Sequence, residues 1–223
     1  MNLTLKESLV TRSRVFSPWT AFYFLQSLLI NLGLGYPFSL LYTAAFTAIL
    51  LLLWRTLPRV QKVLVGISSL VAACYFPFAQ AYGAPNFNTL LALHSTNMEE
   101  STEILTIFPW YSYLVGIFIF ALGVIAIRRK KESEKARWNT FDSLCLVFSV
   151  ATFFVAPVQN LAWGGVFKLK DTGYPVFRFA KDVIVNNNEV IEEQERMAKL
   201  SGMKDTWTVT AVKPKYQTYV VVI

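Results

Sequence analysis

Five long apolar runs, separated by short polar or basic stretches, set the pattern of this chain. They cover about residues 18–34, 38–54, 63–82, 107–127 and 141–163. At about 1.5 Å of rise per residue each is long enough, or nearly so, to cross roughly 30 Å of hydrocarbon. The pattern therefore predicts an all-α membrane protein with five transmembrane helices. Gly33, Gly35 and Pro37 mark a tight break between the first two runs. Pro77 and Pro157 fall inside the third and fifth, where a missing donor and a ring clash predict kinks. The stretch from Gly83 to Thr106 is polar and contains neither Lys nor Arg.

Beyond residue 163 the period changes. Between Phe177 and Leu200 the apolar residues Phe179, Val183, Ile184, Val190, Ile191 and Met197 recur at helical spacing among charged ones. This predicts one or two amphipathic helices ending near Gly202, with the first part lying close to the bilayer surface. After Pro214 β-branched residues dominate, and TYVVVI at 218–223 reads as a buried strand. A strand needs partners for its backbone groups, so these residues are expected to open a further α/β domain. Three regions follow: a five-helix membrane domain over 1–163, an amphipathic connector over 164–217, and that strand over 218–223.

Charge then orients the chain. Lys and Arg flank the runs in clusters of three before the first, three between the second and third, and six between the fourth and fifth. With five crossings these 12 of the 21 basic residues share one side, while the short loops opposite have none and carry Glu99, Glu100 and Glu103. By the positive-inside rule the N-terminus and both basic loops are cytoplasmic and residues 164–223 lie outside, which in a bacterium means the periplasm. Trp19, Tyr36, Trp54, Trp110, Tyr111, Trp138 and Trp163 stand near predicted span ends, where aromatic rings favour the headgroup layer.

Composition agrees: 54% of residues are hydrophobic and only 16% charged, against about 25% charged in a soluble domain. The net charge of +7 does not imply nucleic acid, because the cations sit beside apolar runs as topology determinants. Cys74 and Cys145 both lie within apolar runs and read as small buried hydrophobes, not as a disulfide or metal site. The N-terminal stretch lacks the apolar core and cleavage site of a secretory signal, so the first run is expected to remain as an anchor. His94 is the single histidine and alone cannot build a metal site; a surface or interface role is expected. Asp142, at the start of the fifth span, is expected to pair with the dipole of its own helix.

The terminal TYVVVI, the five-run layout, the polar loop before the fourth run and the amphipathic connector together resemble the bacterial phosphoethanolamine transferases. These are zinc enzymes of the alkaline phosphatase and sulfatase type, and the resemblance is greatest to the branch acting on osmoregulated periplasmic glucans. It implies an inner-membrane enzyme that takes phosphoethanolamine from phosphatidylethanolamine through a phosphoethanolamine-threonine intermediate. The nucleophile and zinc ligands are expected in a catalytic domain beyond Ile223, so no catalytic residue, metal ligand or cofactor is expected within this chain. The acceptor is a periplasmic glucan or, as in other branches, a lipid A or lipopolysaccharide sugar.

The family's lipid-site signature is a Thr followed four residues later by Glu in the loop before the fourth span. Thr96 and Glu100 match it, which the resemblance makes donor-binding residues. Related enzymes often carry Asn four residues before the Thr, where this chain has Ala92; His94 or Asn97 is a candidate substitute, and Glu99 a further one. The chemistry suits a zwitterionic headgroup: a carboxylate pairs with the ammonium while hydroxyls and amides hold the phosphate. In a helix, Thr96 and Glu100 would share a face. The plain alternative is that Glu99, Glu100 and Glu103 form a solvated helix start favoured by its dipole.

Two other classes compete: a small transporter or channel subunit, and a scaffolding membrane protein. The first usually carries ionisable residues at mid-span, and the span centres here have none.

Overall fold

The computed structural model describes residues 18–97, 103, 106–129, 138–163 and 172–201. Within them the chain forms α1 (Pro18–Gly33), α2 (Leu40–Thr56), α3 (Pro58–Tyr82), α4 (Phe87–Ser95), α5 (Trp110–Arg128), α6 (Thr140–Ala162) and α7 (Pro175–Ser201). Each apolar run became one helix. Among the described residues there is no strand, and 218–223, where one was expected, lies outside them.

The boundaries moved where local chemistry overrides the hydropathy pattern. α3 begins at Pro58 and so takes in Arg59 and Lys62, because Pro at the first helical position loses no intrahelical bond. Polar residues 83–106 are not all loop: Asn86 accepts from the Thr89 amide and starts α4. α5 starts only at Trp110, after Pro109. α6 opens with a capping box in which Asn139 and Asp142 each bond the other's backbone amide. Pro77 and Pro157 both lie inside helices that continue through them. In the described part of the amphipathic connector one unbroken helix of 27 residues runs from Pro175 to Ser201.

Packing follows the small residues. α3 lies most closely against α5, α2 against α6, and α1 against α2 and α3. A Cβ placed on Gly116 would come 2.7 Å from the Ala73 carbonyl oxygen, and one on Gly123 would come 2.6 Å from the Ser69 Cβ. Glycine at these two positions therefore lets the α5 backbone seat directly on α3, as in close-packed membrane helices.

Within this bundle runs a seam of neutral polar groups. Gln61 donates to the Tyr23 hydroxyl at 3.3 Å, Gln26 to Ser69 at 3.1 Å, Thr47 to Ser27 at 3.2 Å and Asn31 to Thr43 at 2.9 Å. All eight side chains are buried. Such bonds link helices where an apolar solvent offers no alternative partner, each contributing about 0.6 kcal/mol.

α3, α5 and α6 are long and apolar enough to cross a membrane, and α2 is a shorter apolar helix. Large hydrophobics such as Ile67, Ile117, Val147 and Val158 are exposed on their outer faces. The chain thus has an apolar girdle around a partly polar interior.

Its two ends differ. At one, Arg129 stacks between the rings of Trp19, 4.2 Å away, and Trp54, 3.6 Å away, and Arg55 meets Asp142. At the other, α4 and α7 cover the bundle. Asp142, expected to serve only its own helix, also forms a bridge to α2. Cys145 is buried as expected, but Cys74 is exposed, because its face of α3 turns outward.

Candidate functional site

The covered end holds a cavity of about 330 Å³ between the last turns of α3 and the short helix α4. Phe78, Tyr82 and Leu93 supply apolar wall, and Asn86, Asn88, Thr89 and Thr96 supply polar groups. Asn86 is partly committed, since its side-chain oxygen accepts from both the amide and the hydroxyl of Thr89. A second, almost wholly apolar groove of about 340 Å³ adjoins it, with Phe78 and Leu93 common to both and Cys74 and Phe179 beyond.

Thr96 lines the cavity and closes α4. Its backbone is already extended, and its hydroxyl donates to the Ala92 carbonyl at 2.5 Å. The helix therefore stops at Ser95. Ala92 lines the same cavity as Thr96. His94 points elsewhere: it is exposed and its Nε2 lies 2.9 Å from Asn187 Oδ1 on α7. Asn97 is exposed. Glu99 and Glu100 lie outside the described residues. Glu103 is exposed, and its carbonyl accepts from the Thr106 hydroxyl.

Sequence reasoning missed Asn86, Asn88 and Tyr82. The signal was available for Asn86, an Asn after a Gly–Ala–Pro break and three residues before Thr89, the spacing of an N-cap. Nothing local distinguishes Asn88 as a cavity residue.

α7 fastens the site to the bundle. Besides the His94–Asn187 bond, the Tyr36 hydroxyl donates to Asp182 at 2.8 Å, and Phe179 packs edge-on against Tyr75 with ring centroids 5.0 Å apart. Burial, then the neighbouring Asp182 carboxylate, raises the Tyr36 phenol far above its ordinary range, so it stays protonated and acts as a donor. Among the described residues no three His, Cys, Asp or Glu side chains come together as a metal would require. A zinc site fits no part of them.

These features define a helical membrane protein with a mostly apolar cavity at one end that carries a few polar side chains, and a second apolar groove adjoining it. Over its entire 223 residues the chain is 99% identical to a protein named Phosphoethanolamine transferase OpgE, from Escherichia coli (strain K12). The chain spans 42% of that relative's length. No family model and no solved structure matches it.

Proposed function

We propose that the chain is the membrane part of a phosphoethanolamine transferase that presents phosphatidylethanolamine to a catalytic domain outside it. The carrying observation is the 99% identity along the whole chain to a protein of that name. The geometry supports the same reading. The cavity carries the side-chain amides of Asn86 and Asn88, which suit a phosphate, and the acidic pair Glu99 and Glu100, which suits an ammonium, follows Thr96 by three and four residues in the sequence. The adjoining groove is apolar enough for an acyl chain.

In this reading α1, α2, α3, α5 and α6 all span the inner membrane, with the basic end cytoplasmic and α7 on the periplasmic surface. α1 and α2, at 16 and 17 residues, are short for this and require snorkelling flanks or local thinning of the bilayer. The nucleophilic threonine and zinc belong to the remainder of the longer protein, where diacylglycerol leaves as phosphoethanolamine is captured. The acceptor is a periplasmic glucan, with a lipopolysaccharide sugar as the alternative. The chain's own contribution is to hold donor and catalytic domain in register.

The experiment uses phosphatidylethanolamine labelled in its ethanolamine, supplied to membranes containing the longer protein with this chain's sequence. Label should appear on glucan and diacylglycerol should accumulate. Label on lipid A instead would select the alternative acceptor, and no transfer to either would overturn the reading.

A further inference from the structure

The turn that closes α1 touches both elements that shape the cavity. The Tyr36 amide donates to the Asn31 carbonyl at 3.3 Å and the Gly35 amide to the Leu32 carbonyl at 3.0 Å, the paired bonds of a Schellman motif. Gly35 is the left-handed residue of that motif, with φ at 80°. A side chain there would be strained on conformation alone.

Space makes a second demand on the same residue. A Cβ on Gly35 would overlap the Gly83 carbonyl group and come 2.6 Å from the Ala84 amide nitrogen. The turn after α1 therefore rests, backbone on backbone, against the turn between α3 and α4. Gly83 also has a positive φ, 72°, and its carbonyl accepts from the Tyr75 hydroxyl at 2.9 Å. α4 begins shortly beyond, at Phe87, behind its Asn86 cap.

The next residue, Tyr36, reaches α7. Its side chain is buried, its hydroxyl donates to Asp182 at 2.8 Å, and the Arg178 guanidinium lies over its ring, 4.8 Å from the centroid. Among the described helices α4 lies most closely against α7. His94 meets Asn187 there, and the Asn186 amide donates to the Pro85 carbonyl at 3.5 Å. Two adjacent residues thus hold the root of α4 and the helix on which α4 rests.

We propose that Gly35 and Tyr36 are positioning residues for the cavity between α3 and α4, and through it for the lipid donor; the donor's place in that cavity rests on the function proposed above. Neither residue lines the cavity. Gly35 sets where the chain leaves α3 for α4, and so the gap between Phe78 and Tyr82 on one wall and Thr89, Ala92 and Leu93 on the other. Tyr36 sets where α7 lies against α4. With nine residues α4 is too short to be stable by itself, so its place comes from these contacts. A misplacement of about 1 Å in such a scaffold can cost up to roughly a hundredfold in the reaction it serves.

The test measures transfer by the longer protein in nanodiscs of graded phosphatidylethanolamine content, with acceptor in excess. Gly35→Ala should raise the KM for the donor roughly tenfold while kcat changes by less than about threefold. A turn that merely holds the fold together would lower the amount of active enzyme and leave KM alone. Gly35→Asn separates the two demands, because Asn tolerates a left-handed φ yet still brings a Cβ against Gly83. It should melt closer to wild type than Gly35→Ala does and still show the raised KM. Tyr36→Phe keeps the ring, loses the bond to Asp182, and should raise KM by a smaller factor, roughly fivefold. Asn88→Ala, within the cavity wall, is the reference for donor binding. A raised KM in Asn88→Ala with unchanged KM in Gly35→Asn and Tyr36→Phe would overturn the positioning role alone. Unchanged KM in every variant, Asn88→Ala included, would overturn the donor cavity and the positioning role with it.

Discussion

Both carboxylate oxygens of Asp142 lie against one guanidinium nitrogen of Arg55, at 2.5 and 2.6 Å, joining the start of α6 to the end of α2. The pair is largely shielded, with the two side chains 16% and 4% exposed. Asp142 also bonds the Asn139 amide, so one carboxylate both caps its helix and fixes a neighbour.

Removing one partner of a buried pair leaves the other charge uncompensated. Asp142→Leu is expected to destabilise the bundle by about 3–5 kcal/mol, and Arg55→Leu with Asp142→Leu by distinctly less than the two single changes combined. Thermal or detergent unfolding of the four proteins measures this. Additive losses would show that the two side chains act independently.

Gly116→Leu and Gly123→Leu should each push α5 off α3 and cost about 1–3 kcal/mol or more, because backbone and Ser69 occupy the space. Melting temperatures in nanodiscs report it, with Ile117→Leu on the exposed face as an unaffected control.

Glu100→Gln in the longer enzyme should lower transfer from phosphatidylethanolamine by roughly 10- to 150-fold, the value of a charge-assisted hydrogen bond to the donor ammonium. Glu103→Gln is the matched control. Thr96→Val should impair transfer less, and part of its effect would come from losing the bond that closes α4 at Ala92. Equal losses at Glu100 and Glu103 would reduce the cluster to a charged helix start.

His94→Ala unties α4 from α7. With about 1 kcal/mol lost, amide exchange in α4 should quicken roughly fivefold while α3 is unchanged.

Tyr174, between α6 and α7, donates its hydroxyl to the Ser149 carbonyl at 2.9 Å and is almost wholly buried. Burial pushes its phenol up to about 12 from the usual 10. The folded chain thus holds this proton more tightly than the unfolded one, and the associated stability is present below pH 10 and is lost as pH rises toward 12. An ultraviolet titration of wild type against Tyr174→Phe should show one phenol missing from the late phase, not from the phase near pH 10.

The helices were legible because lipid-facing and core-facing residues are both apolar, so each run announces its length regardless of its partners. What lies at their ends was harder to read. Asn86 starts a helix through one side-chain bond that hydropathy does not register. Asp142 was assigned to its own dipole because its partner, Arg55, is 87 residues away. Thr96 stands just past the end of α4 at Ser95, where the backbone turns extended, a break that composition does not announce. Cys74 was read as buried because an outward-facing residue in an apolar helix has the same composition as an inward one.

The seam of Gln26, Asn31, Gln61 and their hydroxyl partners carries no formal charge. An electric field across a bilayer does about 2.3 kcal/mol of work per 100 mV only on a full charge carried through it. Rearranging amides and hydroxyls along the seam would move almost none. The seam is therefore electrically silent: a voltage would act on the charges at the end of the bundle, Arg55, Asp142 and Arg129, and hardly on these amides and hydroxyls.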